Sequence, residues 1–425
     1  MVAVIGAGIA GVSTAYYLSH LLSPSSQLGP ITIIDPNDRL SDETAFTASS
    51  KAGAFLSNSW GDGTKRQTLF RKSYSLHKDL AIDLSLTSFR ELSTVYRDVS
   101  VANNSNGSGH LPFLELKGQA AMVDPHELTS SLLREALQRG AKFKQGFVDG
   151  LQMSSDCDNV ETTSPSNENI SAAKILFEDG SEFRLRDNEP VVIALGPWSS
   201  RVEDWLNVPV PIDGVVSTSL IWKDVYEGEH EHSSHDDDRY DIALFCEEDT
   251  NGCHLEIFPR AHDQSIYVSG CGGSDVFSPS TFRSSNLQPN PTQHCDPNFS
   301  RAKAAQRTVK DLLSPSSPVS KVLPAKMKTD PPSVVQACIR PTTPDGVPVV
   351  GRLLNNVYIV TGGGPWGITW GPLMGKSLAL MIIEDEDVPM PMGPYRPSRF
   401  DTFLYRSLLK TRSGASQRRH PDQRK

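Results

Sequence analysis

The chain opens on a short apolar run, "VAVI", that breaks at Gly6 and resumes as "IAGVSTAYYLSHLL", where apolar positions recur at helical spacing. A continuous apolar run bounded by glycine predicts a buried strand, and the longer periodic stretch predicts a helix packed on it. "ITIIDP" predicts a second buried strand ending at Asp35, and "PVVIALGPWSS" another that closes on Gly196 and is followed by Trp198. Near the C-terminus, "NVYIVTGGGPWGITWGPLMGKSLALMIIED" predicts a strand, a glycine-rich loop and an apolar helix established by about Pro372. The middle of the chain has a different texture. "LPFLELKGQAAM", "GVVSTSLIW", "CHLEIFPR" and "SIYVSG" carry β-branched or aromatic residues or alternating apolar positions. They predict strands of a mainly antiparallel sheet, the last two forming a hairpin. Three polar stretches, residues 154–171, 227–241 and 278–300, predict surface loops.

Gly6, Gly8 and Gly11 form a G-x-G-x-x-G pattern between a predicted strand and a predicted helix, the context in which it binds a dinucleotide. Gly6 permits the tight turn, Gly8 lets main-chain N–H groups approach a pyrophosphate, and Gly11 allows close helix packing. The helix N-terminus that follows favours the anion. Asp35 ends the next strand, where its carboxylate can accept hydrogen bonds from the ribose hydroxyls of an adenosine and disfavour a 2′-phosphate. It comes somewhat late after the glycines, and "SPSSQLGP" reads as a lengthened loop that absorbs the excess. The competing reading is a glycine turn in an α/β domain without a nucleotide. At Gly196 the missing side chain would let a cofactor or a second backbone come close.

Composition narrows the partners. A chain of 425 residues, 38 % hydrophobic, can bury the cores of two domains. A formal net charge of -9 argues against nucleic acid and for a small-molecule partner. No apolar run reaches the length of a membrane span, and the chain begins on its first strand without a charged leader, so a soluble, cytoplasmic protein is expected. The six cysteines, Cys157, Cys246, Cys253, Cys271, Cys295 and Cys338, make no C-x-x-C pair and read as reduced thiols. The histidines and acids of residues 227–241 lack fixed ligand spacing, so no metal is expected. The basic tail "KTRSGASQRRHPDQRK" reads as a solvated end and lacks a peroxisomal tripeptide of the S-K-L type.

Nearly end to end, the chain resembles the FAD-dependent amine oxidoreductases of the D-amino-acid oxidase superfamily, which includes glycine oxidase, sarcosine oxidase and D-amino-acid dehydrogenase. The motifs, in family order, are the glycine fingerprint, "TASSKAG", "MVDPHELTSSLLREALQRGAKF", "VVIALGPWS", "RPTTPDGVPVVG" and "TGGGPWGITWGPLMGK". The resemblance implies an α/β fold, α+β overall, with a Rossmann-type FAD domain built on a parallel sheet and a substrate domain built on a mixed, mainly antiparallel one. The FAD domain would be discontinuous, over residues 1–80, 123–210 and 328–392. The substrate domain would take residues 81–122 and 211–327, leaving 393–425 as a C-terminal extension. FAD would lie with its adenosine on Asp35, its pyrophosphate along Gly6, Gly8, Ile9, Ala10 and Gly11, and Ser49, Ser50 and Gly53 nearby. Gly196 and Trp198 would border it, and the backbone of Val148 would meet the adenine. The start of the last helix, with Gly363, Gly364, Trp366, Gly367 and Ile368, would stabilise negative charge developing on the reduced flavin. The competing reading gives these glycines only the turn from strand to helix.

In glycine-oxidase-like relatives the arginine of "RP-x-T-x-DG" binds the substrate carboxylate, and Arg340 occupies that position. A guanidinium pairs bidentately with a carboxylate and could hold an amino acid with its α-hydrogen aimed at flavin N5. The alternative makes Arg340 a structural partner of an acid such as Asp345. Cys338 stands two residues earlier, on the same face of a strand. Sarcosine-oxidase-like relatives attach the flavin through a cysteine near this offset, whereas relatives with the arginine hold FAD noncovalently. Noncovalent FAD is the expectation, with Cys338 the candidate for a thioether. Lys51 falls where such relatives place a basic residue beside the flavin, and a surface lysine is the other reading. "YVSGCGGSD" offers no match to the lysine that sarcosine-oxidase-like enzymes use to activate dioxygen, which leaves dioxygen and another carrier open as electron acceptor.

The function implied is oxidation of the C–N bond of a small amino acid or N-alkyl amino acid by hydride transfer to FAD, giving an imine. A flavin-bearing scaffold or trafficking protein with decayed amine chemistry is the alternative. A disulfide reductase would require a second dinucleotide fingerprint and a redox cysteine pair, and the sequence has neither.

Overall fold

The computed structural model describes residues 1–22, 28–38, 48–97, 113–155, 170–186, 188–225, 242–283, 296–314, 317, 319, 323–354 and 356–400. Its first sheet has six strands in the order Val349–Arg352, Val357–Thr361, Val191–Ile193, Val2–Ile5, Ile31–Asp35, Lys142–Gln145. Every neighbouring pair is parallel except the first. The central strands are apolar at nearly every position because both faces are covered. Val2, Val4, Ile31 and Ile33 pack under helices Ile9–Leu21, Pro125–Gln138 and Gly367–Ile382. Ala3, Ile5 and Ile34 face the other way, onto a three-stranded sheet through Val148, Leu151, Ala173 and Ile175.

The first and last of these helices lie unusually close. A Cβ on Gly371 would fall 2.7 Å from Ile9, and one on Gly375 would fall 2.7 Å from main-chain atoms of Ser13 and Thr14. Gly371 meets Ile9 and Gly375 meets Ser13, so the two helices run in the same direction and start on the same side of the sheet. The last helix begins at Gly367 and carries Pro372 inside it. Proline provides no N–H for the carbonyl four residues back, that of Ile368. His77 compensates: its Nε2 lies 3.1 Å from the carbonyl oxygens of both Ile368 and Thr369. Nε2–H must therefore donate, and burial of the ring pushes its pKa down to about 4, keeping it neutral. Replacing His77 with Leu should cost about 2 kcal/mol by stranding the Ile368 carbonyl. Adding Pro372→Ala, which restores a main-chain donor, should recover part of that loss in a double-mutant cycle of denaturant midpoints; strict additivity would refute the compensation.

The second sheet has ten strands, and all its pairings are antiparallel except that of Arg90–Arg97 with Ile242–Cys246. Glu256–Arg260 and Ser265–Ser269 form the predicted hairpin. Leu220, Leu244, Ile257 and Val268 point to one face, where helix Phe299–Leu312 covers them with Ala302, Ala305, Val309 and Leu312. Alternate residues, Ile221, Phe245, Phe258 and Tyr267, point to the other face. The stretch 278–300, predicted as loop, begins with a short helix, Pro279–Arg283, because Phe282 is buried against Trp198 and over Gly214. Residues 227–241, most of 154–171 and the basic tail lie outside the described residues.

One ion pair joins the hairpin of the second sheet to a helix of the first layer. His262 Nε2 lies 3.4 Å from Asp124 Oδ2, and Asp124 caps helix Pro125–Gln138 by accepting the Glu127 N–H at 2.7 Å. Burial alone would lower the histidine pKa, but the Asp124 carboxylate outweighs it and the pKa lies above the ordinary 6.5. Burial would raise Asp124, yet the His262 and Glu127 hydrogen bonds hold it below 3.8. A raised histidine contributes stability below its unfolded pKa and loses it as pH rises through the folded one; a lowered carboxylate loses its contribution on the acid side. His262→Asn should therefore destabilise most between about pH 4 and 6.5, by no more than about 1 kcal/mol, an effect that fades as pH rises through the raised histidine pKa. A pH-independent difference would exclude the pair as its cause.

Candidate active site

Between the two sheets lies a cavity of about 480 Å³. Its first wall is the glycine turn after Val2–Ile5. Gly6 takes φ +105°, where a Cβ would strike the Ala194 carbonyl, and a Cβ on Gly11 would lie 1.9 Å from the Gly6 oxygen. Only glycine allows the strand, turn and helix to fold back this tightly. Gly8 precedes helix Ile9–Leu21 with no side-chain cap of its own, and Ser49 accepts the Ile9 N–H at 2.9 Å. Asp35, buried at the end of its strand, accepts the N–H groups of Ala7 at 2.8 Å and Asn37 at 3.0 Å and lines the cavity.

The second wall is residues 362–368. Gly362 and Gly364 have positive φ, and Gly363 bridges to Thr342 at the end of strand Val334–Thr342. Helix Gly367–Ile382 starts without a side-chain cap, and Thr369 Oγ1 donates to the Phe55 carbonyl at 3.2 Å, tying its first turn to the second sheet. A Cβ on Gly367 or Gly196 would meet nothing within 4 Å. Two parallel helices thus present their N-termini to one cavity, neither capped by its own N-cap side chain, a concentration of N–H dipoles that favours negative charge.

The roof is the inner face of the second sheet. Strand Val334–Thr342 pairs with Asp213–Trp222 so that Cys338 lies opposite Ser217 and Arg340 opposite Val215. Arg340 Nη2 donates to Ser217 Oγ, with Ser274 Oγ at 3.5 Å, while its Nε is buried with no partner among the described residues. No described carboxylate pairs with Arg340. Asp345 pairs instead with Arg399, at 2.9 Å. Burial raises the Cys338 thiol pKa, against the pull of Arg340 and Lys51. Tyr267 stacks on Phe258 at 6.3 Å and Phe258 on Phe55 at 5.3 Å, an aromatic wall that Gly53 approaches so closely that a Cβ would fall 2.9 Å from Tyr267.

The sequence-predicted residues Gly6, Gly8, Ile9, Ala10, Asp35, Ser49, Gly53, Val148, Gly196, Trp198, Cys338, Arg340, Gly363, Gly364, Trp366, Gly367 and Ile368 all line this one cavity. Three do not reach its wall: Gly11, packed behind the turn, and Ser50 and Lys51 on helix Ala48–Lys51. Lys51 directs its Nζ to the Ala337 carbonyl at 3.2 Å, close enough to Cys338 to act on it electrostatically. Sequence reasoning missed Arg201, Phe245, Glu256, Phe258 and Tyr267, which also line the cavity. The strand alternation of "LEIFPR" and "SIYVS" contained the signal for the last three, without saying which face was the inner one.

The residues fit FAD. Besides the two helix starts and the open glycines, Arg201 Nη1 and Arg340 Nε are buried without partners among the described residues, on side chains that line the cavity, as expected of a site shaped for phosphates and a carboxylate. A parallel sheet that opens on a glycine turn, with a second sheet roofing the crevice at its strand ends, is the arrangement of a dinucleotide-binding protein. The chain belongs to the DAO family of FAD dependent oxidoreductases, which residues 1–102 and 114–381 match. It is 23 % identical over 422 residues to a Schizosaccharomyces pombe protein named as an oxidoreductase, covering 90 % of this chain and 94 % of that one. Its fold is similar to L-proline dehydrogenase from P. horikoshii (TM-score 0.64, 18 % identity, 94 % and 97 % of the two chains) and to glycine oxidase from Geobacillus kaustophilus (0.63, 16 %, 94 % and 98 %). Among the described residues no helix is long and apolar enough to cross a membrane.

Proposed function

We propose that the protein oxidises the C–N bond of an amino acid or N-alkyl amino acid, giving an imine that water hydrolyses. The carrying observation is Arg340: a cation on the cavity wall, oriented by Ser217, with a buried unpartnered Nε and no described carboxylate. Such a group is a receptor for an anion supplied by the ligand. Bound FAD supplies the hydride acceptor. Asp35 and the Gly6 turn hold the nucleotide end, and Arg340 orients the substrate carboxylate. The starts of the two helices stabilise negative charge, at the pyrophosphate for the first and at the ring for the second. The aromatic wall of Tyr267, Phe258 and Phe55 excludes water from the reacting carbon. Burial pushes the Tyr267 phenol up to about 12, so it stays neutral and serves as wall and donor, not as base. The raised Cys338 thiol is a poor nucleophile, which supports noncovalent FAD. Sheet membership and core packing support the discontinuous FAD domain, with strands Phe55–Ser57 and Val334–Thr342 lent to the roof.

The test is anaerobic titration of the FAD-loaded protein with amino acids and with the matching amines that lack the carboxylate. Bleaching by the first set alone is expected. A flavin that stays oxidised with every member would refute the enzyme and favour the scaffold reading. Acid precipitation of the same sample should release the yellow colour to the supernatant; colour in the pellet would make Cys338 the attachment point.

A further inference from the structure

Besides Arg340, the roof carries a second charged residue without a counter-ion among the described residues. Glu256 lines the cavity, and its Oε2 accepts a hydrogen bond from Ser269 Oγ at 2.9 Å. No described cation forms an ion pair with it. Register places it on the inner face: Glu256 pairs with Ser269 and Phe258 with Tyr267, and Phe258 and Tyr267 form part of the inner aromatic cluster. Opposite charges facing one cavity without pairing to each other are complementary to a ligand that carries both. We propose that Glu256 and Ser269 form a subsite for a distal cation, so that the substrate is an amino acid with a second ammonium or guanidinium group on its side chain. This rests on Arg340 as carboxylate receptor and extends it to substrate class.

Spacing separates this role from recognition of the reacting amine. Ser217, which holds the Arg340 guanidinium, lies on strand Asp213–Trp222, and Glu256 lies two strands away in the order of the sheet. Two strand spacings are about 10 Å. An amine one carbon from the carboxylate cannot bridge that distance, whereas the end of a long basic side chain can. The chemistry agrees, because hydride loss needs a free lone pair on the reacting nitrogen, and a carboxylate beside that nitrogen would hold it protonated.

The test uses unreactive ligands with the same six-carbon chain, caproate and ε-aminocaproate, titrated calorimetrically into the FAD-loaded protein, its Glu256→Gln variant and its Arg340→Met variant. Glutamine keeps the acceptor for Ser269 and removes only the charge. Expected is roughly tenfold tighter binding of ε-aminocaproate than of caproate to the unaltered protein, as for one charge-assisted hydrogen bond. Glu256→Gln should abolish that preference and leave caproate unchanged, while Arg340→Met should weaken both ligands. Equal affinity for the two ligands, or a preference that survives Glu256→Gln, overturns the subsite alone. Caproate binding that survives Arg340→Met overturns the carboxylate receptor alone, and no binding of either ligand overturns both.

Discussion

Replacing Arg340 with methionine should lower kcat/KM on the order of a hundredfold while leaving the protein at least as stable as before. The loss follows from removing one partner of a charge-assisted, water-poor pair between guanidinium and substrate carboxylate, worth about 3 kcal/mol. The stability follows from what Arg340 does without a ligand. Its Nε is buried and unpartnered, no described carboxylate balances its charge, and its contacts are the hydroxyls of Ser217 and Ser274. An apolar side chain of similar length relieves that desolvation and fills the same space on the strand. The signature is a thermal midpoint that holds or rises while turnover collapses, as expected of a residue kept for function at the expense of stability. Steady-state kinetics and a thermal melt of the same preparation check it. A structural arginine would give the reverse, a lower midpoint with kcat/KM per folded molecule unchanged.

What the sequence shows of this site is local or periodic. Gly6, Gly8 and Gly11 are readable because the constraint on each arises within a few residues, and Asp35 because a strand end fixes where its carboxylate goes. Cys338 and Arg340 are readable as a pair because period two puts them on one face, and both line the cavity. The same periodicity exposes Glu256, Phe258 and Tyr267 as a face without deciding whether that face meets ligand or helix. That is settled by Phe299–Leu312, which covers Leu220, Ile257 and Val268 from outside. His77 is illegible for another reason: on helix Gln67–Asp83 it looks like an ordinary half-polar position, and its partners Ile368 and Thr369 come from the far end of the chain. Lys51 shows the limit of family likeness: the resemblance implies a basic residue beside the flavin, whereas Lys51 does not line the cavity and its Nζ donates to the Ala337 carbonyl.

Gly375→Ala should cost both stability and cofactor, although alanine is the better helix former. An added Cβ would lie 2.5 Å from Ser13 Cβ and 2.7 Å from the main-chain atoms Ser13 C and Thr14 N. Main chain in the middle of a helix cannot rotate away, so the last helix must move off the first. Overpacking of this kind costs about 1–3 kcal/mol or more, against a gain in helix propensity of at most about 1 kcal/mol. The consequence reaches the cavity because both helices start there: displacing one shifts its N-terminus relative to the glycine turn that receives the pyrophosphate. FAD affinity should fall on the order of tenfold along with the thermal midpoint. Gly367→Ala separates the two effects, since the same methyl at the helix start meets nothing within 4 Å and projects into open cavity. It should leave the midpoint of the FAD-free protein unchanged and still weaken FAD. If Gly375→Ala binds FAD normally and melts normally, the two helices tolerate a wider spacing than their glycines imply, and the close parallel pair is not what positions the two charge-stabilising N-termini.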